Sequence, residues 1–143
     1  MEFTNEVVIR RSPADVFAFL TDFTNLPRWN YAIRSTRKVT PGPVSVGTAY
    51  RQVRSIPAPA EEAFTVIEWD PDRRVAISGE FGPFTGTLTY RLDPATPGTT
   101  LANQVQLRPR RGLGLVSRIA GAQVRSAMAE NLEELRRGLE RVG

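Results

Sequence analysis

Aromatic and β-branched residues crowd the segment from Phe3 to Arg10, which reads as a strand and halts at Ser12-Pro13. Ser12 is a favoured N-cap, Pro13 suits the first helical position, and Asp15 three residues after the cap completes a capping-box-like signal. Val16, Phe19, Leu20 and Phe23 then recur at i, i+3, i+4 and i+7, so this helix has one apolar face to bury. A fresh cap at Asp22 and a proline at Pro27 predict a second, shorter helix ending near Trp29.

Beyond Trp29 the chain is punctuated by prolines, which lack a backbone N–H and are tolerated at turns but not inside paired strands. The segments between them predict strands over Arg34 to Val39, Thr48 to Ser55, Ala63 to Trp69, Arg74 to Ser78, Phe84 to Leu92 and Thr99 to Arg108. Their links are of hairpin length, with Asp70-Pro71-Asp72-Arg73 a type I turn, so the order is antiparallel. After Pro109 the period lengthens. Val124, Met128, Leu132, Leu135, Leu139 and Val142 are spaced by three or four, while Arg125, Glu133, Arg136, Arg137 and Glu140 take the other faces. This is a long amphipathic helix, with Glu133 and Arg137 placed as an i, i+4 pair. Gly121, between Ala120 and Ala122, would let it pass close to a sheet or a ligand; the sequence offers no reason for Gly138.

The chain of 143 residues suits one domain, 1–143, that buries roughly two thirds of its unfolded surface and spares some interior for a ligand. There is no long apolar span and no signal-like start, so a cytoplasmic protein is expected. Composition then removes whole classes of chemistry. Without histidine or cysteine there are no Ser-His-Asp triads, thiol nucleophiles, zinc-hydrolase motifs or disulfides, and no metal or other cofactor is expected. Any catalysis must use Asp, Glu, Tyr, Arg or bound water. A net charge of +4 does not by itself make a nucleic-acid binder, and the basic segment lacks interleaved aromatics, so no nucleic-acid partner is expected.

Four groups of residues then resemble one known superfamily. Ile9-x-x-Ser12-Pro13-x-Asp15-Val16-Phe17 followed by Asp22-x-x-Asn25-x-Pro27-x-Trp29 is similar to the opening of the polyketide cyclase/dehydrase and lipid-transport branch of the START-like superfamily, often called SRPBCC. Asp70-Pro71-x-Arg73-Arg74, Gly86-x-Leu88-x-Tyr90-x-Leu92 and Gly98-Thr99-Thr100-Leu101 resemble its later strands and hairpins. The resemblance implies an α+β helix-grip fold: a curved seven-stranded antiparallel sheet around a long C-terminal helix, with two short helices between the first and second strands. It implies a cavity too, but no reaction, because fold does not fix function.

The lining of such a cavity is readable in part. Phe84, Leu88 and Tyr90 alternate with Thr85, Thr87 and Thr89, so the apolar set faces inward, and Asn103 falls among the inward residues of the last strand. An inward Asn or Tyr is either satisfied locally or aimed at a ligand. The strand around Tyr50 is less legible: Tyr50, Gln52 and Arg54 share one face, Arg51, Val53 and Ser55 the other, and neither is clearly apolar. If Tyr50 and Arg54 face inward, they supply a phenol and a guanidinium able to stabilise an enolate-like oxygen. Glu68 shares the nominal face of Phe64 and Val66, where a buried carboxylate would have a raised pKa suited to a general base; otherwise it reaches water at the strand end. Trp29 is placed to plug one end. Phe81, Pro83 and Phe84 with Ile56 and Pro57 are placed as an apolar lid, and Val124 and Met128 present the helix to the cavity.

From Asp93 to Glu130 the intervening chain has no acidic residue but carries Arg108, Arg110, Arg111, Arg118 and Arg125. This segment is either a solvated loop or a contact for an anionic ligand or a peripheral membrane surface. Three functions follow. The first is a non-covalent binder of a hydrophobic or amphipathic small molecule, acting as carrier, sensor or ligand chaperone. The second is a cofactor-independent cyclase or dehydratase acting through Tyr50, Arg54, Glu68 or Asn103 and water. The third is a membrane-docking lipid or quinone partner. Three or more convergent polar groups at the cavity floor speak for catalysis, and a smooth apolar cavity with one or two speaks for carriage.

Overall fold

Hydrophobic alternation and proline punctuation translate directly into the architecture of the computed structural model, which describes residues 1–110 and 114–142, with side chains over 1–110 and 121–141. Strand β1 (Glu2–Ile9) leads to helix α1 (Pro13–Thr21), a 3-10 turn (Phe23–Asn25) and the short helix α2 (Leu26–Trp29). Strands β2 (Ile33–Lys38), β3 (Ala49–Arg54), β4 (Ala60–Asp70), β5 (Arg74–Phe81), β6 (Phe84–Pro94) and β7 (Thr99–Pro109) follow, and helix α3 (Gly114–Val142) closes the chain. The sheet is wholly antiparallel, in the order β1-β7-β6-β5-β4-β3-β2. No helix among the described residues is long and apolar enough to cross a membrane.

Each short helix starts as its sequence predicts. The Asp15 backbone N–H donates to Ser12 Oγ at 3.2 Å and Pro13 occupies the first turn, although the Asp15 carboxylate turns to Arg11 instead of reaching back to the cap. Asp22 caps the next turn through the Thr24 N–H. Val16, Leu20 and Phe23 from these turns enter the same core as Ile9, Val66, Val75 and Leu101 from the sheet.

Helix α3 divides by function along its length. Leu132, Leu135 and Leu139 are buried in the core, while Val124, Ala127 and Met128, one to two turns earlier, form part of a cavity wall. The helix is fastened at its C-terminal end. Arg11 Nη1 donates to the Leu139 carbonyl at 2.7 Å, and the Arg10 N–H donates to the Glu140 carboxylate at 2.9 Å. The expected Glu133–Arg137 pair does not form, because Arg136 bridges Glu133 and Glu140 while Arg137 turns to Glu134. Gly121 is not a tight crossing: a β-carbon there would meet only the end of the Met1 side chain at 3.8 Å. Val142 has no described side chain.

Candidate ligand cavity

The inner faces of β3 to β7, α2 and the middle of α3 enclose a cavity of about 320 Å³. Trp29, Phe64, Phe81, Phe84, Leu88, Val124 and Met128 line it, with Leu26, Ile77, Leu107 and Leu132. The β5–β6 hairpin tip (Phe81, Gly82, Pro83) and the β3–β4 turn (Ile56, Pro57) also contribute. Ile56 is 46% exposed, so this apolar pair of turns stands where the interior meets solvent. The volume lies at the small end of the range of about 300 to 1,000 Å³ that holds drug-sized ligands.

Polar side chains reach the lining from three sides. Tyr90 on β6 and Asn103 on β7 are directly opposite each other in register and both are buried. Asn103 Nδ2 donates to the Thr89 carbonyl at 3.3 Å. Burial pushes the Tyr90 phenol far above the ordinary tyrosine range, so it stays protonated and can donate. Asn131, buried on α3, faces the same space. Trp29 is 5% exposed, and its indole Nε1 is buried with no hydrogen-bond partner among the described residues.

Strand β3 turns Tyr50, Gln52 and Arg54 inward and leaves Arg51 exposed. Only Gln52 and Arg54 reach the cavity lining. Tyr50 stands behind it, stacked on Phe64 with ring centroids 5.1 Å apart and edge-on to Phe23 at 5.2 Å. Burial, with a smaller contribution from nearby Asp22, pushes its phenol up to about 12. Tyr50 is thus a core aromatic and does not line the cavity as the sequence reading expected.

The carboxylate behind the cavity is Glu62. It is 2% exposed, and its Oε1 accepts from Gln52 Nε2 at 2.7 Å and from Arg54 Nε and Nη2 at 2.8 and 2.7 Å. Its Oε2 accepts from the Gly82 N–H at 2.9 Å, which ties strand β4 to the β5–β6 hairpin at the mouth. Glu68 is elsewhere. It is exposed and paired with Arg74, because a bulge between Val66 and Glu68 interrupts the alternation and leaves both Ile67 and Glu68 outside. A general-base role inside the cavity is therefore ruled out for Glu68 by its position. The sequence pattern predicts a strand that starts at Ala63 and so leaves Glu62 out, whereas the strand begins at Ala60; extending the Phe64–Val66 alternation back two residues finds it.

Of the arginines before α3, Arg108 is exposed and Arg110 pairs with Glu80 of β5, so an acidic partner comes from outside the uncompensated stretch of sequence. Arg111 and Arg118 lie outside the described side chains.

A sheet gripping a C-terminal helix over an internal cavity defines a helix-grip, START-like protein. Residues 1–140 match the family described as polyketide cyclase / dehydrase and lipid transport, and the chain belongs to that family. A search of curated proteins found no significant match. Solved structures share the fold at low identity. TTHA0849 from Thermus thermophilus is 22% identical with a TM-score of 0.74, over 99% of this chain and 95% of that one. The di-domain ARO/CYC StfQ from the steffimycin biosynthetic pathway is 11% identical with a TM-score of 0.79, over 98% of this chain, which spans 51% of StfQ. Ara h 8.0201 is 16% identical with a TM-score of 0.72, over 97% of both chains.

Proposed function

We propose that this single domain binds a hydrophobic or amphipathic small molecule of lipid, polyketide or aromatic character in its cavity, as a cytoplasmic carrier, sensor or ligand chaperone. The observation that carries this reading is the lining: apolar and aromatic on most sides, with Tyr90, Asn103 and Asn131 able to orient a guest but none able to take a proton near neutral pH. Native mass spectrometry of protein purified from its own host tests it directly. A retained small molecule of that class is expected, and it should be lost on denaturation.

A cyclase or dehydratase is the second reading, favoured by those same three polar groups, which meet the number expected of a catalytic floor. Tyr90 would donate to an enolate-like oxygen beside Asn103 while the walls hold a flexible chain in a reactive shape. ARO/CYC StfQ is a fold neighbour in keeping with this reading. Turnover of a poly-β-keto substrate that Tyr90→Phe lowers about 100-fold with little change in binding supports it; absence of turnover leaves carriage.

A further inference from the structure

We infer that the cavity selects electrically neutral ligands and discriminates against carboxylates; this rests on the small-molecule binding proposed above. Arg54 is the one ionisable charge that lines the cavity among the described residues. Its charge is committed, with three of its five N–H groups in use: Nε and Nη2 hold Glu62 at 2.8 and 2.7 Å, and Nη1 reaches the Ile56 carbonyl at 3.4 Å. Glu62 is equally committed, since Gln52 and the Gly82 N–H complete its four donors. The pair presents no net charge to the interior.

An entering carboxylate meets two options. It is buried without an uncompensated cation, which carries a large desolvation cost, or it competes with Glu62 for Arg54, whose charge is already neutralised, and weakens the two hydrogen bonds that hold Glu62. A buried ammonium meets the mirror problem, because the nearest carboxylate, Glu62, is already paired with Arg54 and does not line the cavity. A neutral guest meets neither. Its carbonyl or hydroxyl groups find the Tyr90 hydroxyl and the side-chain amides of Asn103 and Asn131, whose hydrogen bonds require no counter-ion. Glu62 is accordingly a specificity residue that touches no ligand: it cancels the one charge that would attract an anion.

Calorimetric titration near neutral pH with 2-naphthamide and 2-naphthoate, which share a hydrocarbon body and differ in charge, tests this. N-phenyl-1-naphthylamine serves as an independent neutral probe. In the wild-type protein the amide is expected to bind at least about tenfold more tightly than the carboxylate. Glu62→Gln leaves Arg54 without its anion, so 2-naphthoate should gain at least about tenfold relative to the amide. The double variant Arg54→Gln/Glu62→Gln removes both charges and should keep the wild-type preference. Equal or tighter binding of 2-naphthoate by the wild-type protein overturns the inference while leaving the binding function intact, and it needs no variant to fold. If neither naphthalene nor the neutral probe binds, the binding function falls and the selectivity with it.

Discussion

Gly79 of β5 lies directly opposite Gly86 of β6, and neither position has room for a side chain. A β-carbon on Gly79 would come within 2.6 Å of the Phe64 Cα, and one on Gly86 within 2.9 Å of the Gln106 carbonyl carbon. The two glycines sit in one row across the sheet, Tyr50–Phe64–Gly79–Gly86–Leu107. Strands that approach this closely let the sheet bend around α3, and the middle of the row carries no side chain beside the cavity. Gly86→Ala is therefore expected to destabilise the fold by about 2 kcal/mol or more in denaturant titration. Gly138→Ala is the contrast: its β-carbon would find only the tip of Arg141 at 4.0 Å. A gain of up to about 1 kcal/mol from helix propensity is expected there.

Glu62 and Glu68, two of the three glutamates of β4, should respond very unequally to truncation. Glu68→Ala removes an exposed pair with Arg74 and should change stability by less than about 1 kcal/mol. Glu62→Ala leaves the largely buried Arg54 without its anion and releases the hairpin at Gly82; a loss of roughly 3 kcal/mol is expected, at the lower end for a buried pair because Arg54 keeps some exposure. Urea midpoints measured side by side check both, and equal losses would show that the ion pair at the cavity does not hold the hairpin.

Those two residues also show where sequence reading stops. Periodicity placed all seven strands, the capped helix and the closing helix, because burial of one face imposes a period that a local window detects. Trp29, Phe64, Phe81, Phe84, Leu88, Tyr90, Asn103, Val124 and Met128, all candidates from the sequence, line the cavity, and so does Arg54, whose face the pattern of β3 leaves open. A bulge, however, carries no reliable local signal, and the one between Val66 and Glu68 reversed the face assigned to Glu68. Tyr50 failed differently. It does point inward, but whether an inward aromatic reaches the cavity or stops behind Phe64 depends on residues from other strands and turns. Glu62 is recognisable as functional only once Arg54, Gln52 and Gly82 are seen around it, and those partners lie 8, 10 and 20 residues away.

Alkaline pH should weaken the fold through the two buried phenols. Tyr50 is raised to about 12 and Tyr90 further, against an unfolded value near 10. The folded state therefore holds these protons more tightly than the unfolded chain. The stabilisation is complete below about pH 10 and is lost progressively above it, up through the folded values, as the unfolded chain ionises first. Urea midpoints should fall more steeply above about pH 10 for the wild type than for Tyr50→Phe or Tyr90→Phe. Phenolate absorbance should show both groups un-ionised until unfolding. Parallel pH curves for wild type and variants would show that these hydroxyls contribute no differential ionisation.

Trp29 and Trp69 are the only indoles, and they report on different parts of one core. Trp29 lines the cavity, whereas Trp69 packs edge-on against Phe17 with centroids 5.0 Å apart and does not reach the lining. A neutral aromatic guest should therefore quench or shift the emission of Trp29 alone. Trp69→Phe should keep the fluorescence response to N-phenyl-1-naphthylamine, and Trp29→Phe should abolish it while stability stays near the wild-type value. The last expectation follows from the buried Nε1, which has no partner among the described residues: an unsatisfied buried donor costs about 1 to 3 kcal/mol, and phenylalanine relieves that cost while giving up some packing area. Trp29→Ala has no such relief and should lose about 3 to 5 kcal/mol. A response carried by Trp69 instead would place the bound guest outside the cavity described by Trp29, Tyr90 and Asn103.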